Sequence, residues 1–287
     1  MKNLLSMSLA AKRKIDNFYE AIDRLLDKIN QLDMVKGIHS RIELFIDGFN
    51  QISNKLIYLL LTSYAILFTF VSFNLINFQS RSYDYVFHLT RIVGLAESIE
   101  HWDLLPNLNF LFAFGTGYAS PMFYGNWQFY PSAIVYMMTN DGNLAYAIFA
   151  FLITLCTSLS SYIVVSKIVK NKVTGIVVAL TIPCYYTLFG FGMTMVIPLP
   201  ILIYSIYRVL YLNKKNPLYL GIVVALLIQT HILSTVILAI FSGVFLLLNY
   251  KKLTFEKIIS FVFSILFALC LSAGYIFQYL EQVSSQK

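Results

Sequence analysis

Residues 143–169 read NLAYAIFAFLITLCTSLSSYIVVSKIV, and from Asn143 to Ser166 there is no charged side chain. A helix needs about 20 mostly apolar residues to cross the hydrocarbon core of a bilayer. This stretch exceeds that, and Lys167, Lys170 and Lys172 follow it at once. An apolar run closed by a lysine cluster is the pattern of a transmembrane helix ending on the cytoplasmic side.

The rest of the chain repeats the pattern. It has 287 residues, 58% hydrophobic and only 12% charged, with a mean hydropathy of +0.70. Soluble domains carry about 25% charged residues. The 24 Phe and 20 Tyr add apolar surface that a water-soluble globule of this size could not hide. Disorder, a collagenous fibre and a disulfide-rich scaffold are excluded by the same figures. The expected class is all-α, a polytopic transmembrane helical bundle whose first partner is the lipid bilayer.

Seven candidate spans are expected: Leu56–Phe78, Asn143–Val169, Val173–Phe189, Met193–Leu212, Pro217–His231, Ser234–Tyr250 and Ile258–Leu280. The fifth and sixth are short and read equally as one hairpin with its tip at Gln229-Thr230-His231. With the N-terminus inside, 18 of the 21 Lys and Arg fall on inner segments, leaving only Arg81, Arg91 and Lys287 outside. The expected topology is therefore a multi-pass plasma-membrane protein with the N-terminus cytoplasmic and the C-terminus extracytoplasmic. The start MKNLLSMSLAAKRK lacks the apolar length and cleavage site of a signal peptide.

The formal charge of +7 lies in short clusters between apolar runs, not in a patch on a soluble face, so no nucleic acid is expected as a partner. Cys156, Cys184 and Cys270 sit inside apolar runs without ligand spacing, so neither a disulfide nor a zinc site is implied.

Three regions are expected: 1–55, 56–280 with an outer loop at 79–142, and a short tail at 281–287. The first 55 residues hold nine of the 21 Lys/Arg and seven of the 14 Asp/Glu. Ile15, Phe18, Ile22, Leu25, Leu26, Ile29 and Leu32 recur at helical spacing between acidic and basic residues, an amphipathic helix. Gly37 is expected to interrupt it before Ile42–Phe49 resumes. A cytosolic hairpin, a helix on the inner leaflet and a docking surface for a partner membrane protein all fit this composition.

Most remaining polar information lies in the outer loop. Between Phe78 and Tyr130 there are 14 aromatics in 53 residues, including both tryptophans, Trp102 and Trp127. Such rings settle at headgroup depth, and they also suit stacking on a sugar or covering a lipid tail. Asp84 to His101, DYVFHLTRIVGLAESIEH, has helical spacing. Asp84, His88, Arg91, Ser98 and Trp102 share one stripe, while Tyr85, Val86, Leu89, Ile92, Val93, Ala96 and Ile99 share another. The segment is expected to lie apolar side down, with carboxylate, imidazole and guanidinium facing water. Asp84 could take a proton from an acceptor hydroxyl, and Arg91 or His88 could stabilise a phosphate leaving group. A surface ion pair without function fits the spacing equally well. No cofactor is expected. A divalent metal is conceivable, but two oxygens and one imidazole are too few to hold it.

Downstream, LPNLNFLFAFGTGYASPMFYGNWQFYPSA carries turn-forming Gly115, Gly117, Pro121, Gly125 and Pro131, and its GTG is not a phosphate loop. FYPSAIVYMM is too short to span and reads as an interfacial or re-entrant piece. His231 stands between two apolar runs, where an ionisable group commonly faces a cavity or the bundle interior.

The order of an inside-to-outside first span, an outer loop opening with DYVFHLTRI, then GTGYASPMFYGNWQFYPSA and THILST resembles a family. It is similar to bacterial polytopic proteins described as related to 6-pyruvoyl-tetrahydropterin synthase, to the YfhO-type proteins and to the wider GT-C glycosyltransferases. The resemblance covers about residues 56–280. It implies a GT-C-like enzyme that moves a sugar from a polyprenyl-phosphate carrier to an envelope acceptor on the outer face. Carried onto this chain, Asp84 would be the catalytic acid of the first outer loop, with His88 beside it. Arg91, Trp102, Tyr118, Tyr124 and His231 would bind substrate. No pterin chemistry is implied. Such enzymes commonly continue with further spans, so a chain of seven would be a core module or one part of a split enzyme. The alternatives are a non-catalytic module binding a lipid-linked glycan or a partner enzyme, and a transporter. Against the last, Val173 to Tyr207 carries no Asp, Glu, Lys or Arg for a coupling ion.

Overall fold

The computed structural model describes residues 17, 19–24, 28, 31, 33–73, 84–186 and 197–284. Two compact units divide the chain, Met1–Ile52 and Ser53–Lys287. In the first, helix α1 spans Asp33–Asn50. It runs straight through Gly37, correcting the expected interruption there. An exposed glycine costs a helix about 1 kcal/mol against alanine, which the turns on either side absorb. The break comes instead at residues 51–53, before the next helix. Ile38, Ile42, Leu44 and Phe45 of α1 are exposed. Most of the apolar series before it, Ile15, Phe18, Leu25, Leu26, Ile29 and Leu32, lies outside the described residues.

The second unit is helical: α2 (Asn54–Phe73), α3 (Tyr85–Glu100), α4 (Ser120–Phe123), α5 (Tyr130–Thr139), α6 (Gly142–Val169), α7 (Lys172–Tyr186), α8 (Pro198–Tyr211), α9 (Pro217–Ile228), α10 (Ile232–Leu248), α11 (Phe255–Leu271) and α12 (Ala273–Ser284). Helix α6 begins where expected because Asp141 caps it, its carboxylate accepting from the Asn143 and Leu144 amides at 2.9 and 3.1 Å. It ends at Lys170, which adopts a left-handed conformation (φ 57°).

Among the described residues two helices, α2 and α6, are long and apolar enough to cross a membrane, and α11 with α12 makes a third if that bent pair is one span. Of the seven expected spans, these are the ones that the described residues carry at full length. Helix α9, bounded by described residues on both sides, has 12 residues. At 1.5 Å per residue, 12 residues give roughly 18 Å, well short of a hydrocarbon core of about 30 Å. The expected ends of the first and third spans and the start of the fourth, residues 74–78, 187–189 and 193–196, lie outside the described residues. The expected span Ile258–Leu280 is broken at Ser272, where the chain bends by 68°. Ser272 is buried there, its hydroxyl accepting from the Gln229 side chain at 3.4 Å.

Helix directions sort the charges. Tyr162 near the end of α6 donates to Asn54 at the start of α2 (2.9 Å), so these two helices run antiparallel. Helix α7 returns along α6, pressed so close at Gly175 that an added Cβ would meet Tyr162 and Ser166 at 3.1 Å. Lys55, Lys167, Lys170 and Lys172 thus gather at one end. Arg91 and the hairpin tip at residues 229–231 lie towards the other, near the Gly142 end of α6. The core there joins Ile92, Leu95 and Ala96 of α3, Phe129 and Ala133, and Ala145, Tyr146, Phe149, Ala150 and Ile153 of α6.

Candidate functional site

Helix α3 forms where its spacing requires, with Asp84 at its N-cap. It is buried on both stripes, not on the apolar one alone as expected: Ile92 and Ala96 are in the core, and so are the two basic residues. His88 and Arg91 are buried (0% and 2% exposed), whereas Val86 of the expected apolar stripe is 69% exposed. Periodicity had placed the two basic residues together correctly, but they face the protein.

Arg91 is tolerated there because the next loop supplies acceptors. Its Nη2 donates to the Tyr124 carbonyl at 2.6 Å, the Gly125 carbonyl at 3.0 Å and Asn126 Oδ1 at 3.2 Å. Its guanidinium lies 4.4 Å from the Phe129 ring centroid and 5.6 Å from those of Phe87 and Tyr124. Ring faces attract a cation most when both are dry. Among the described residues no carboxylate is within ion-pairing distance of Arg91. Burial lowers its pKa to about 9, with Tyr275 and Tyr124 opposing the shift, so at neutral pH it keeps its charge. His88 lies among Phe87, Phe129 and Phe149, at centroid distances of 5.5, 5.6 and 5.9 Å. Burial first, and then the Arg91 charge, push it down to about 3. It is a neutral imidazole at any physiological pH.

The loop that binds Arg91 also binds the hairpin tip. Gly125 packs so tightly that an added Cβ would land on the Gln229 carbonyl. Trp127 Nε1 donates to Thr230 Oγ1 at 3.0 Å. The Tyr124 and His231 rings stack, with centroids 5.3 Å apart and planes 25° apart. His231 caps α10: its Nδ1 accepts from the Ser234 amide at 3.1 Å. An amide only donates, so Nδ1 is the acceptor, which puts the proton of the neutral ring on Nε2.

The Tyr124 hydroxyl is held above its ordinary value by burial first, then by Tyr118, with Arg91 opposing and the Asp84 carboxylate adding to the rise. Asp84, half-exposed, and Tyr118 thus lie within electrostatic reach of Tyr124. A ring chain from Tyr118 to Phe112 (5.5 Å), Phe87 (5.6 Å) and Tyr124 (5.7 Å) closes the cluster. So Asp84, His88, Arg91, Tyr118, Tyr124 and His231 converge from three separate stretches of chain. Trp102 does not join them. It follows the far end of α3, 87% exposed, and α3 is roughly 24 Å long.

Beside the cluster lies a cleft of about 230 Å³. Its polar lining comes from Asn126, Trp127, Gln229, Tyr275 and Gln278, with no charged side chain. Gly125 and Asn126, which accept from Arg91, form part of its wall. The buried Tyr275 hydroxyl has no hydrogen-bond partner among the described residues. Sequence reading missed Gln229, Tyr275 and Gln278. An isolated glutamine or tyrosine in an apolar run carries no spacing signal, although their polarity at a span end was a cue. Across the tip, an apolar cavity of about 260 Å³ is walled by Leu202, Leu227, Leu238, Leu246 and Phe261. Among the described residues no three His, Cys, Asp or Glu side chains gather as a metal would require. Neither a protein-family model, nor a characterised protein, nor a solved structure matches the chain.

Proposed function

We propose that this chain is a GT-C-like membrane glycosyltransferase, or the core module of one, acting on a polyprenyl-phosphate-linked sugar at the outer face of the plasma membrane. The observation that carries the reading is a buried Arg91 held by Tyr124, Gly125 and Asn126 behind the wall of an uncharged polar cleft, with Tyr124 stacked on His231 and within electrostatic reach of Asp84, at the end of the bundle away from the lysines. A headgroup rich in hydroxyls suits the amides and rings of that cleft. Its volume is below the ~300–1,000 Å³ of sites for drug-sized ligands, which fits one sugar ring. The separate apolar cavity among α8, α9, α10 and α11 suits part of an alkyl chain.

In this reading an acceptor hydroxyl attacks the anomeric carbon and its proton passes to Asp84. The bond from the anomeric carbon to the phosphate oxygen breaks, and polyprenyl phosphate leaves. Arg91 acts by its field. Its Nη2 is committed to the loop, but its charge sits behind the cleft wall, where low dielectric strengthens it against a developing phosphate anion. His88 shapes the aromatic core under Arg91 and carries no proton to substrate.

The test is Asp84→Asn. Membranes bearing this variant at normal abundance should lose transfer from lipid-linked sugar while still binding polyprenyl phosphate. Undiminished transfer removes the mechanism. A second reading, a non-catalytic module that binds a lipid-linked glycan, is favoured by the commitment of Arg91 to backbone carbonyls. It expects binding that Asp84→Asn leaves unchanged and no transfer by the unaltered protein.

A further inference from the structure

Between α3 and α4 the chain forms a finger, residues 109–118. Its base is closed by a reciprocal pair of backbone bonds, Asn109 N–H to the Tyr118 carbonyl (2.9 Å) and Tyr118 N–H to the Asn109 carbonyl (3.0 Å). The buried Asn109 side chain pins that base to α3. Its Nδ2 donates to the Thr90 carbonyl at 3.0 Å, and it packs against Gly94, where a Cβ would overlap it.

The tip is apolar and turned outward. Phe114 is wholly exposed, and Phe110 and Leu111 are exposed too. Phe114 has φ 56° and is followed by two glycines that hold the turn, Gly115 (φ 88°) and Gly117 (φ 92°). A phenylalanine in the left-handed region costs about 1–3 kcal/mol and persists only where the surrounding structure fixes it. Here the fixing presents the ring to whatever surrounds the protein.

We propose that this finger inserts into the lipid leaflet at the Gly142 end of α6, as an interfacial anchor. Three observations select lipid as the occupant. From Leu104 to Asn140 the chain carries no Asp, Glu, Lys or Arg, so the finger offers no charge for a soluble partner or for water. Half of the tip's amides are satisfied from within: those of Leu111, Phe112, Gly115 and Gly117 donate inside the finger. That lowers the cost of settling at the edge of a medium without hydrogen-bonding groups. Its depth is also right. Helix α6 has 28 residues, roughly 42 Å, about 12 Å more than the hydrocarbon core. Helix α3 packs on α6 between Ala145 and Ile153, so the finger it carries sits near the headgroup boundary, where aromatic tips bind. The inference stands whether or not the chain transfers sugar.

Spin labels test it. In a variant with Cys156, Cys184 and Cys270 replaced by alanine, Phe114→Cys and, separately, Leu111→Cys are labelled with a nitroxide. Each protein is placed in vesicles of phosphatidylcholine and phosphatidylglycerol. Phe114 makes no fold-bearing contact, and Leu111 supplies an independent site. Both labels should collide with molecular oxygen more often than with a water-soluble nickel chelate, the mark of a position inside the leaflet. Preferential collision with nickel would place the finger in water and overturn the proposal. Shielding from both reagents would mean a protein, including a second copy of this chain, covers the tip, and would overturn it too.

Discussion

Replacing Arg91 by alanine should loosen the whole polar end of the bundle. The two N–H groups of Nη2, shared among Tyr124, Gly125 and Asn126, would be lost. Bonds from a charged donor contribute about 1.5–3 kcal/mol each, so the two together are worth roughly 3–6 kcal/mol. Three ring contacts add to that. Against this stands the cost of keeping a guanidinium dry without a carboxylate, several kcal/mol, which the variant no longer bears. The hydrogen bonds win, because their acceptors would stay buried and unpaired. The expected net loss is about 2–4 kcal/mol. At about 2–4 °C per kcal/mol, the melting temperature should fall by roughly 5–15 °C. Thermal unfolding in detergent, followed by tryptophan emission, reads this directly, since Trp127 sits in the affected loop. Arg91→Lys should fall between, because an ammonium keeps the charge but not the planar fork. An alanine variant that melts with the unaltered protein, or above it, would refute the reasoning.

Gly125→Ala should destabilise by at least about 2 kcal/mol, because its Cβ meets a backbone carbonyl that cannot turn away. The same thermal scan checks it, and Gly243→Ala, where an added Cβ meets nothing within 4 Å, is the control. His88 should make the fold acid-sensitive. Its folded pKa of about 3 lies below the ordinary 6.5, so the unfolded chain binds the extra proton between those values. The stability associated with neutral His88 is therefore complete above pH 6.5 and lost as pH falls towards 3. Melting temperature against pH should flatten over that window in His88→Phe, and an unchanged slope would contradict it.

Some of this architecture was open to sequence reading. The uncharged run from Asn143, continuing to Val169, and the lysines at its end defined α6 to within a residue. The spacing from Asp84 to His101 defined α3. The tip at His231 was marked by polar residues between apolar runs, and it does close onto the site. The facing of α3 was hidden because helical period says which residues share a stripe, not what that stripe meets. In an outer loop this apolar, the hidden variable was where the guanidinium would find acceptors. They came from Tyr124, Gly125 and Asn126, more than 30 residues on. The bend inside Ile258–Leu280 was hidden because hydropathy runs through Ser272, where a hydrogen bond from Gln229 holds the turn of the chain.

The account's central claim is that the Asp84 cluster opens on the extracytoplasmic side. Glu100, exposed at the end of α3, reports it with least disturbance. Glu100→Cys in the cysteine-free variant should react with a membrane-impermeant maleimide on intact cells, as fully as after permeabilisation. Labelling that appears only once the cells are opened would put the site in the cytoplasm and contradict the claim.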